Sequence, residues 1–290
     1  MISVVVCTRD RAARLDRMLR SLHEMATPAA LEWEVLVVDN GSRDGTRDVV
    51  TAFARRAKMP TRYLFEKRRG LSRARNAGVR AARGDVVAFT DDDCLVDSQW
   101  VARIDAEFRA DVELGIVGGR VELHDPGDAP VSVRVHRERV LVKSFPDIAA
   151  FMIGCNMSCR RCLLDEVGDF DTRLGAGTST PSAEDWDFLY RSHKAGAKIV
   201  FSPDVLVFHD HGRRSEAQVE SLKRGYVIGR WAFYCKHAAR FDREVATIAA
   251  RDFAQLVEDL VRGRRRLGTL TPVALGVTYW LRALGRRGEP

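Results

Sequence analysis

The stretch that decides the fold is Asp85-Val86-Val87-Ala88-Phe89-Thr90-Asp91-Asp92-Asp93, an apolar run that ends in three consecutive carboxylates. The short, continuous apolar run predicts a buried parallel strand. Carboxylates are costly inside a core, so we expect them at the C-terminal edge of the strand. In open α/β sheets that edge is where ligands bind. Closely spaced carboxylates there suit Mg²⁺ or Mn²⁺, although a solvated strand end would show the same pattern.

Strands and helices alternate around this stretch. Three further apolar runs predict strands at Ile2 to Cys7, Trp33 to Asp39 and Arg62 to Phe65. Between them, apolar residues recur at helical spacing, first at Leu15, Leu19, Leu22 and Met25, and then at Val49, Val50, Phe53 and Ala57. Repeated βαβ units predict an α/β fold with a Rossmann-like, mostly parallel sheet and flanking helices. A turn-rich stretch after residue 124, Asp125 to Pro130, begins a second half.

Composition narrows the partners. The chain of 290 residues has a formal net charge of +7, which favours an anionic partner: a nucleotide, a membrane or a nucleic acid. A nucleic-acid binder should interleave basic residues with exposed aromatics, and the motif-bearing half does not, so we expect no nucleic acid. The N-terminus reads as a first strand without a basic leader, which predicts a cytoplasmic protein. The oligomeric state stays open.

The six cysteines, at positions 7, 94, 155, 159, 162 and 235, show no paired framework. We expect reduced thiols, as in a cytosolic protein. Cys155, Cys159 and Cys162 cluster, but a structural zinc site needs a further ligand, and no other Cys or His lies nearby. Small, buried, inert thiols are the favoured interpretation.

Two turns carry candidate ligand-binding residues. Asp39 ends the second strand and should point into the ligand crevice, whereas Ser42, Asp44 and Thr46 fit an Asx-turn and a helix cap. After the third strand, the run from Gly70 to Gly78 opens a helix with Ser72 as the expected N-cap. That helix start predicts an anion site suited to a diphosphate, with Arg75 and Asn76 facing inward.

These residues resemble an inverting glycosyltransferase of family 2 with the GT-A fold. The resemblance covers roughly the first 210 residues in five ordered blocks: Val4 to Arg9, Val38 to Ser42, Gly70 to Asn76, Thr90 to Asp93, and Ala183 to Asp187. It implies a nucleotide-sugar donor, UDP-linked by default. It places Thr8, Arg9 and Asp39 near the nucleoside, Arg75 and Asn76 near the donor, and Asp91 and Asp93 at the ribose and the metal.

The second half supplies a base. The family's Glu-Asp pair falls on Glu184 and Asp185, and the resemblance implies that Asp185 takes the acceptor proton. An acidic first helical turn is also ordinary helix chemistry. The segment from Gly154 to Arg161 resembles the family's segment beneath the donor sugar, which places Asn156 there. In this fold the position after the last strand can complete the metal's coordination, so His209 is the expected third ligand, ahead of His211.

Residues 1–212 therefore form the expected catalytic domain, with a nucleotide-sugar-binding half (1–124) and an acceptor and base half (125–212). The loop from Arg173 to Ser182 is either a lid or acceptor loop or an ordinary surface loop.

Residues 213–290 form a helical extension. Its apolar stretch, Thr271 to Leu284, is too short to span a bilayer and is bracketed by arginines at 262, 264, 265, 266, 282, 286 and 287. We expect a peripheral anchor on an anionic membrane surface, ahead of a packed helix or a dimer surface.

The sequence thus predicts a metal-dependent sugar transferase acting on a carbohydrate or lipid-linked glycan acceptor, in glycan or cell-envelope polysaccharide synthesis. Two alternatives differ in class. A sugar-nucleotide nucleotidyltransferase would open with a glycine-rich phosphate loop, which Thr8 to Arg11 lacks. A non-catalytic nucleotide or nucleic-acid binder would draw on net charge alone. Release of pyrophosphate or of nucleoside diphosphate separates the two enzymes.

Overall fold

The computed structural model describes residues 1–265 and 267–285. A single nine-stranded sheet organises them, in the order β3-β2-β1-β4-β8-β6-β9-β5, with β7 pairing β9. The strands are β1 (Ile2–Thr8), β2 (Trp33–Asp39), β3 (Thr61–Phe65), β4 (Val86–Asp91), β5 (Cys94–Val96), β6 (Leu114–Leu123), β7 (Val140–Val142), β8 (Asn156–Arg160) and β9 (Lys198–His209).

Ten helices flank this sheet or follow it in the described part of the chain. They are α1 (Ala12–Glu24), α2 (Thr46–Ala54), α3 (Leu71–Ala81), α4 (Trp100–Ala110), α5 (Phe145–Phe151), α6 (Arg161–Val167), α7 (Glu184–Lys194), α8 (Glu216–Ala238), α9 (Arg243–Val261) and α10 (Leu270–Gly285). The predicted mixed α/β architecture is therefore confirmed, and the four strands predicted in the first half fall within one residue of their predicted bounds.

The first half of the sheet is parallel. Strand β1 pairs in parallel with β2 and β4, and β2 pairs in parallel with β3. Alternate residues of β1 enter different cores: Val4 and Val6 pack in one hydrophobic cluster, and Val5 packs in the other. Both faces are covered, which is why these strands read as continuous apolar runs. Their C-terminal ends, at Thr8, Asp39 and Asp91, reach the same edge of the sheet.

The second half mixes directions and brings distant residues to that edge. Strand β8 runs antiparallel between β4 and β6, and β9 runs parallel to β6. The short strand β5 pairs antiparallel with the end of β9, with Cys94 opposite His209. Because β5 starts directly after the three carboxylates, this pairing sets His209 beside Asp93.

Helix α3 begins at Leu71, two residues earlier than an N-cap at Ser72 requires. Gly70 precedes the helix with φ +139°, a conformation that favours glycine, and Ser72 already lies inside the first turn. The Ser72 hydroxyl donates to the Leu174 carbonyl at 2.7 Å. The N-cap prediction for Ser72 was therefore wrong, and its side chain instead ties α3 to the loop before α7.

The C-terminal helices pack on the rest of the chain. A Cβ on Gly276 of α10 would lie 2.4 Å from the Ile228 carbonyl oxygen of α8, so the two helices approach closely. Trp280 of α10 is buried beneath Arg173, whose guanidinium lies 4.1 Å from the ring centroid. These contacts support the packed-helix alternative for α10. Of the bracketing arginines, those at 266, 286 and 287 lie outside the described residues.

Across residues 1–265 and 267–285, no helix is both long enough and apolar enough to cross a membrane.

Candidate active site

A cleft of about 450 Å³ opens at the C-terminal edge of the parallel strands. The ends of β1 and β4, the start of α3, the start of α7 and one turn of α8 form its walls. Of the predicted site residues, it is lined by Thr8, Arg9, Arg75, Asp91, Asp93, Glu184, Asp185 and His209. Residues from both halves of the chain therefore converge on one cavity.

The three carboxylates after β4 have different surroundings. Asp92 accepts a hydrogen bond from the Thr8 hydroxyl at 2.7 Å, and the Arg11 guanidinium bridges Asp92 and Asp93, each at 3.0 Å. Burial raises the pKa of Asp92 to about 6, against the opposing charge of Arg11. Partial burial also raises the pKa of Asp91, which faces the cleft. Arg11 was not predicted as a site residue, although it stands two residues after Arg9.

Asp93 and His209 meet as predicted. His209 Nε2 lies 3.4 Å from Asp93 Oδ1. Burial works against the shift, but the hydrogen bond from His209, its charge and that of Arg11 lower the pKa of Asp93 to about 2. The same hydrogen bond outweighs the effect of burial on the imidazole and raises the pKa of His209 to about 9. In this structure the pair is thus an ion pair at neutral pH.

This cluster fits a divalent cation. One ligand atom from each of Asp93, Cys94 and His209 lies within 4.8 Å of the others. His209 Nδ1 lies 3.3 Å from the Ser132 carbonyl oxygen, which can only accept a hydrogen bond, so Nδ1 carries a proton. Nε2 is therefore the ring nitrogen that is available to bind a cation. A hydrogen bond with Cys155, together with burial, raises the pKa of Cys94, so this thiol stays protonated. One carboxylate, Asp93, and one imidazole, His209, remain in this group, and both suit Mn²⁺ or Mg²⁺.

His211 lies outside this group. Its Nδ1 accepts from the Arg213 backbone N–H at 2.9 Å and faces Asp128 at 3.5 Å. It does not line the cleft. The weaker expectation for His211 therefore has no support in the geometry. Of the three clustered cysteines, Cys155 and Cys159 are buried and Cys162 is exposed, and the metal-binding group found in the described part of the chain contains none of them.

Arg75 occupies the floor of the cleft. It is 2% exposed, and its guanidinium contacts Glu184 at 3.0 Å, Asp91 at 3.6 Å and the Gly154 carbonyl at 3.4 Å. The small residues Ala74 and Gly78 let α3 lie close to the sheet: a Cβ on Gly78 would come within 2.4 Å of Val5. The arginine is therefore held inward, where it balances carboxylates from both halves of the chain.

Glu184 and Asp185 open helix α7. Ala183, with φ +73°, turns the chain into the helix so that both carboxylates enter the cleft. Asp185 accepts from the Gly154 backbone N–H at 2.8 Å through one oxygen and from the Trp186 N–H at 2.9 Å through the other. Burial and the neighbouring charge of Asp185 raise the pKa of Glu184 to about 7, despite the contact with Arg75. Asp185 is thus fixed in orientation, and Glu184 is the carboxyl of altered acidity.

Gly154 is a site residue that the sequence did not single out. A Cβ at this position would lie 2.9 Å from Arg75 Nη2 and 3.0 Å from Asp185 Cβ. Only a glycine lets the donor arginine and the expected base approach from opposite sides of one peptide. A glycine next to a motif is a weak signal in a single sequence, so the pattern could not have identified it.

Of the residues expected to contact the nucleoside, Asp39 forms its hydrogen bonds within the protein. Asp39 accepts from the Ser42 backbone N–H and from the Tyr63 hydroxyl, both at 2.7 Å, and is not part of the cleft lining. Its neighbour Asn40 does line the cleft, and its amide bridges the backbone of Glu66, Arg68 and Gly70. The interpretation of Ser42 as a turn residue agrees with these contacts.

Two asparagines that the resemblance places near the donor do not line the cleft. The Asn76 amide exchanges hydrogen bonds with the Phe170 backbone in both directions, at 2.9 Å each. Asn156 accepts from the Trp100 indole and donates to the Arg120 and Val205 carbonyls, also at 2.9 Å. These buried amides are saturated by the protein, so both residues position elements rather than face the cleft.

The loop before α7 forms one wall of the cleft, through Ala176, Gly177, Pro181 and Ser182. Helix α8 holds this loop in place. The Ser182 hydroxyl donates to the Gly225 carbonyl at 3.0 Å, and a Cβ on Gly229 would lie 2.6 Å from the Ser182 carbonyl oxygen. Leu222 and Tyr226 of the same helix reach the cleft themselves. The extension therefore contributes to the site, which the sequence did not predict.

Comparisons with known proteins agree with this fold. Residues 3–168 match the family described as Glycosyl transferase family 2. Validoxylamine A glucosyltransferase of Streptomyces hygroscopicus subsp. jinggangensis is 37% identical over 255 residues, which cover 77% of this chain and 58% of that protein. Succinoglycan biosynthesis protein ExoM of Rhizobium meliloti is 29% identical over 256 residues, which cover 86% of this chain and 81% of ExoM.

Solved structures share the fold. S. aureus TarS residues 1–349, in complex with UDP-GlcNAc, superposes with a TM-score of 0.70 at 19% identity, covering 99% of this chain and 82% of that one. The mannosyltransferase PcManGT from Pyrobaculum calidifontis, in complex with GDP-Man and Mn²⁺, superposes with a TM-score of 0.59 at 20% identity. The match covers 100% of this chain and 76% of that one.

The fold and the site together define a glycosyltransferase of the GT-A type. The chain belongs to glycosyl transferase family 2. The resemblance found in the sequence is thereby confirmed, as is the enzyme class.

Proposed function

We propose that this chain is a metal-dependent inverting glycosyltransferase that moves a sugar from a UDP-sugar to an acceptor hydroxyl. One observation carries the proposal: the carboxylates Asp91 and Asp93 and the separately held carboxylate Asp185 line a single cleft with Arg75 at its floor. The first pair suits a cation and a nucleotide, and the last suits proton transfer. Residues 1–212 form the catalytic unit, and helix α8 of the extension that follows completes its wall.

The donor lies at the sheet edge in this proposal. Thr8, Arg9 and Asp39 stand on the nucleoside side, and Arg75 stands near the donor sugar. UDP is the proposed nucleotide on the family resemblance, and TarS residues 1–349, which share the fold, are in complex with UDP-GlcNAc.

Asp91, Asp93 and His209 would hold Mn²⁺ or Mg²⁺. The cation supplies positive charge against the departing diphosphate. The Nε2 proton of His209 is the one that such an ion replaces, and the Nδ1–H stays on the Ser132 carbonyl. The contacts of Arg11 with Asp92 and Asp93 balance charge in the same cluster.

Asp185 acts as the general base. The acceptor oxygen attacks the anomeric carbon on the face opposite the nucleotide, its proton passes to an Asp185 oxygen, and the bond to the diphosphate breaks. The backbone N–H groups of Gly154 and Trp186 hold the carboxylate so that its orientation does not have to be found during the reaction. One base suffices for inversion, which leaves Glu184 to pair with Arg75.

The biological setting follows from the relatives. ExoM, by its name, serves succinoglycan biosynthesis, which favours a carbohydrate or lipid-linked glycan acceptor and polysaccharide synthesis. A peripheral position at the inner face of an anionic membrane is part of the same proposal. Nucleic acid is not among the proposed partners.

Saturation-transfer NMR against UDP-, GDP- and dTDP-sugars tests this function. With Mg²⁺, which is diamagnetic and does not broaden the ligand signals, we expect saturation of one nucleotide class, strongest for UDP-sugars, and a large loss with EDTA or in Asp93→Ala. The control Asp105→Ala removes an acidic residue of α4 that pairs with Arg109 away from the cleft. Equal binding under all conditions would overturn the metal assignment. Release of pyrophosphate instead of nucleoside diphosphate would indicate the nucleotidyltransferase.

A further inference from the structure

A second, smaller cavity of about 290 Å³ lies next to the cleft. Asp185 lines both cavities, so the smaller one opens onto the carboxylate proposed as the base. The two also share Ser132, Ile153, Ser182, Ala183 and Tyr226. The carboxylates at the end of β4 line the cleft only. The smaller cavity therefore adjoins the proposed base and does not include the carboxylates of the proposed cation site.

Arg134 gives this cavity a fixed positive charge. Its Nη1 donates to the Val133 carbonyl at 2.8 Å, and its Nη2 donates to the carbonyls of Ala149 and Met152 at 3.1 and 3.2 Å. Its Nε is buried and has no hydrogen-bond partner among the described residues. The guanidinium also forms no ion pair with a carboxylate in that part of the chain, and burial lowers the pKa of Arg134. Arg134 is half-buried, and its guanidinium has carbonyl partners and the nearby charge of Asp185 but no carboxylate in direct contact, so a bound anion would supply a missing partner.

Arg230 adds a second guanidinium to the wall. Its Nη1 lies 3.4 Å from Asp252, a residue that does not line the cavity, and its Nε is buried without a partner in the described chain. The same guanidinium lies 5.6 Å from the centre of the Trp186 ring. In the described residues, the charged groups of the lining are therefore two arginines and Asp185. The balance is positive, in a space large enough for a monosaccharide.

Two aromatic side chains complete the lining. Trp186 follows the base directly, and Tyr226 approaches from α8 with its hydroxyl 2.5 Å from the Ser132 hydroxyl. Flat rings with a polar end bind the apolar face of a small polar ligand and its hydroxyl groups together. A sugar ring has both features.

Resting on the proposed function, we propose that this cavity is the acceptor subsite and that it selects an acceptor sugar carrying an anionic group, a carboxylate or a phosphate. The anion pairs with Arg134 and Arg230, and the ring lies against Trp186 and Tyr226. The reacting hydroxyl then faces Asp185. The base takes its proton, the oxygen bonds to the donor's anomeric carbon, and the nucleoside diphosphate leaves with the electron pair of the broken bond.

Calorimetry with three probes tests the proposal: methyl glucoside, methyl glucuronide and glucose 6-phosphate, each added to the protein with UDP and Mn²⁺. The first is neutral, and the other two distinguish a carboxylate from a phosphate. We expect at least one anionic probe to bind about 10- to 100-fold more tightly than the neutral one, as for hydrogen bonds to a charged group. Equal affinities for all three would overturn the proposal.

Variants assign the preference to the cavity. In Arg134→Gln we expect the anionic probe to lose that 10- to 100-fold advantage while methyl glucoside is unaffected, and in Arg134→Lys we expect part of it to remain. Arg230→Gln provides the same test if Arg134→Gln does not fold, and Arg224→Gln, an exposed arginine of α8 outside the cavity, is the matched control. A preference that persists in both Arg134→Gln and Arg230→Gln would contradict the assignment.

The binding of UDP, measured in the same samples, separates this proposal from the function on which it rests. If UDP does not bind, the transferase proposal fails. If UDP binds with Mn²⁺ but the anionic probes show no preference, only the acceptor class is wrong.

Discussion

Arg75 and Glu184 form a buried ion pair, with 3.0 Å between Nη1 and Oε1 and side chains that are 3% and 8% exposed. The pair joins the start of α3, on the donor side, to the start of α7, which carries Asp185. Asp91 shares the same guanidinium at 3.6 Å. The positions of the donor arginine, the carboxylate cluster and the proposed base are therefore coupled through one cation.

Glu184→Gln should change how stability depends on pH. Burial and the charge of Asp185 raise the pKa of Glu184 from 4.5 to about 7, so the folded state prefers the protonated acid. The stability that protonated Glu184 adds to the folded state is fully present below pH 4.5 and is lost as the pH rises through 7. Glutamine does not titrate, so the variant should gain about 1–3 kcal/mol relative to the wild type between pH 5 and pH 8. Urea unfolding at pH 5 and pH 8 measures the free energy of unfolding of both proteins. A difference between variant and wild type that is the same at the two pH values would contradict this prediction.

Gly154→Ala should impair catalysis more than nucleotide binding. The new methyl group would meet Arg75 Nη2 at 2.9 Å and Asp185 Cβ at 3.0 Å, so one of them must move. A displacement of a fraction of an ångström to 1 Å at a reacting group costs on the order of 10²-fold in rate. Gly45→Ala is the control because a Cβ there meets nothing within 4 Å. Equal kcat values for nucleoside diphosphate release in the two variants would contradict the role given to Gly154.

Lys236→Met should destabilise the whole protein. The Lys236 ammonium lies 2.7 Å from Asp171 and 2.6 Å from Asp187; Lys236 and Asp187 are buried and Asp171 is partly buried. Removing it takes one cation from both carboxylates, while Arg173 still pairs with Asp171 and Arg191 with Asp187, so the loss should be about 1.5–3 kcal/mol, as for hydrogen bonds to charged groups. Lys223→Met, on the exposed side of α8, should cost less than about 1 kcal/mol. Urea unfolding of both variants tests whether α8 belongs to the catalytic core, and equal small losses would show that it does not.

Membrane contact, if it occurs, should depend on the exposed arginines after α9. Truncating α10 is a poor test because its Trp280 is buried under Arg173. Replacing Arg262, Arg264 and Arg265 with Gln leaves that packing intact. Each basic residue near an anionic surface contributes about 1 kcal/mol, so the variant should lose most of the low-salt sedimentation with anionic liposomes that we expect of the wild type. Identical sedimentation of the two proteins would assign the extension to packing alone.

Local patterns in the sequence predicted the parallel half of the sheet and the place of Asp91 and Asp93. Buried parallel strands are short apolar runs, and their ends meet at one edge, so these features require no knowledge of distant contacts. The position of His209 beside Asp93 came from the family resemblance. Its physical cause is the pairing of β5 with the end of β9, which depends on contacts far apart in the chain.

Long-range partners explain what the sequence did not give. Asn76 and Asn156 carry polar groups that suit a donor, but Phe170 and Trp100, distant in sequence, use those groups in the folded chain. Tyr226 reaches the cleft because Gly225 and Gly229 allow helix α8 to lie close to the loop before α7. Neither outcome has a local signature. The burial of Trp280 of α10 is likewise a tertiary contact, which the arginines around that helix do not reveal.

The central claim, that Asp185 is the base of a sugar transferase, is tested most directly by comparing Asp185→Asn with the wild type in one assay of nucleoside diphosphate release from the preferred donor. We expect the variant to bind the donor with nearly unchanged affinity by calorimetry, while its turnover falls on the order of 10²-fold or more, since it cannot accept the acceptor proton. Asp169→Asn, which removes an exposed carboxylate elsewhere, should match the wild type. Near-normal turnover in Asp185→Asn would contradict the account and assign the proton transfer to Glu184 or another group.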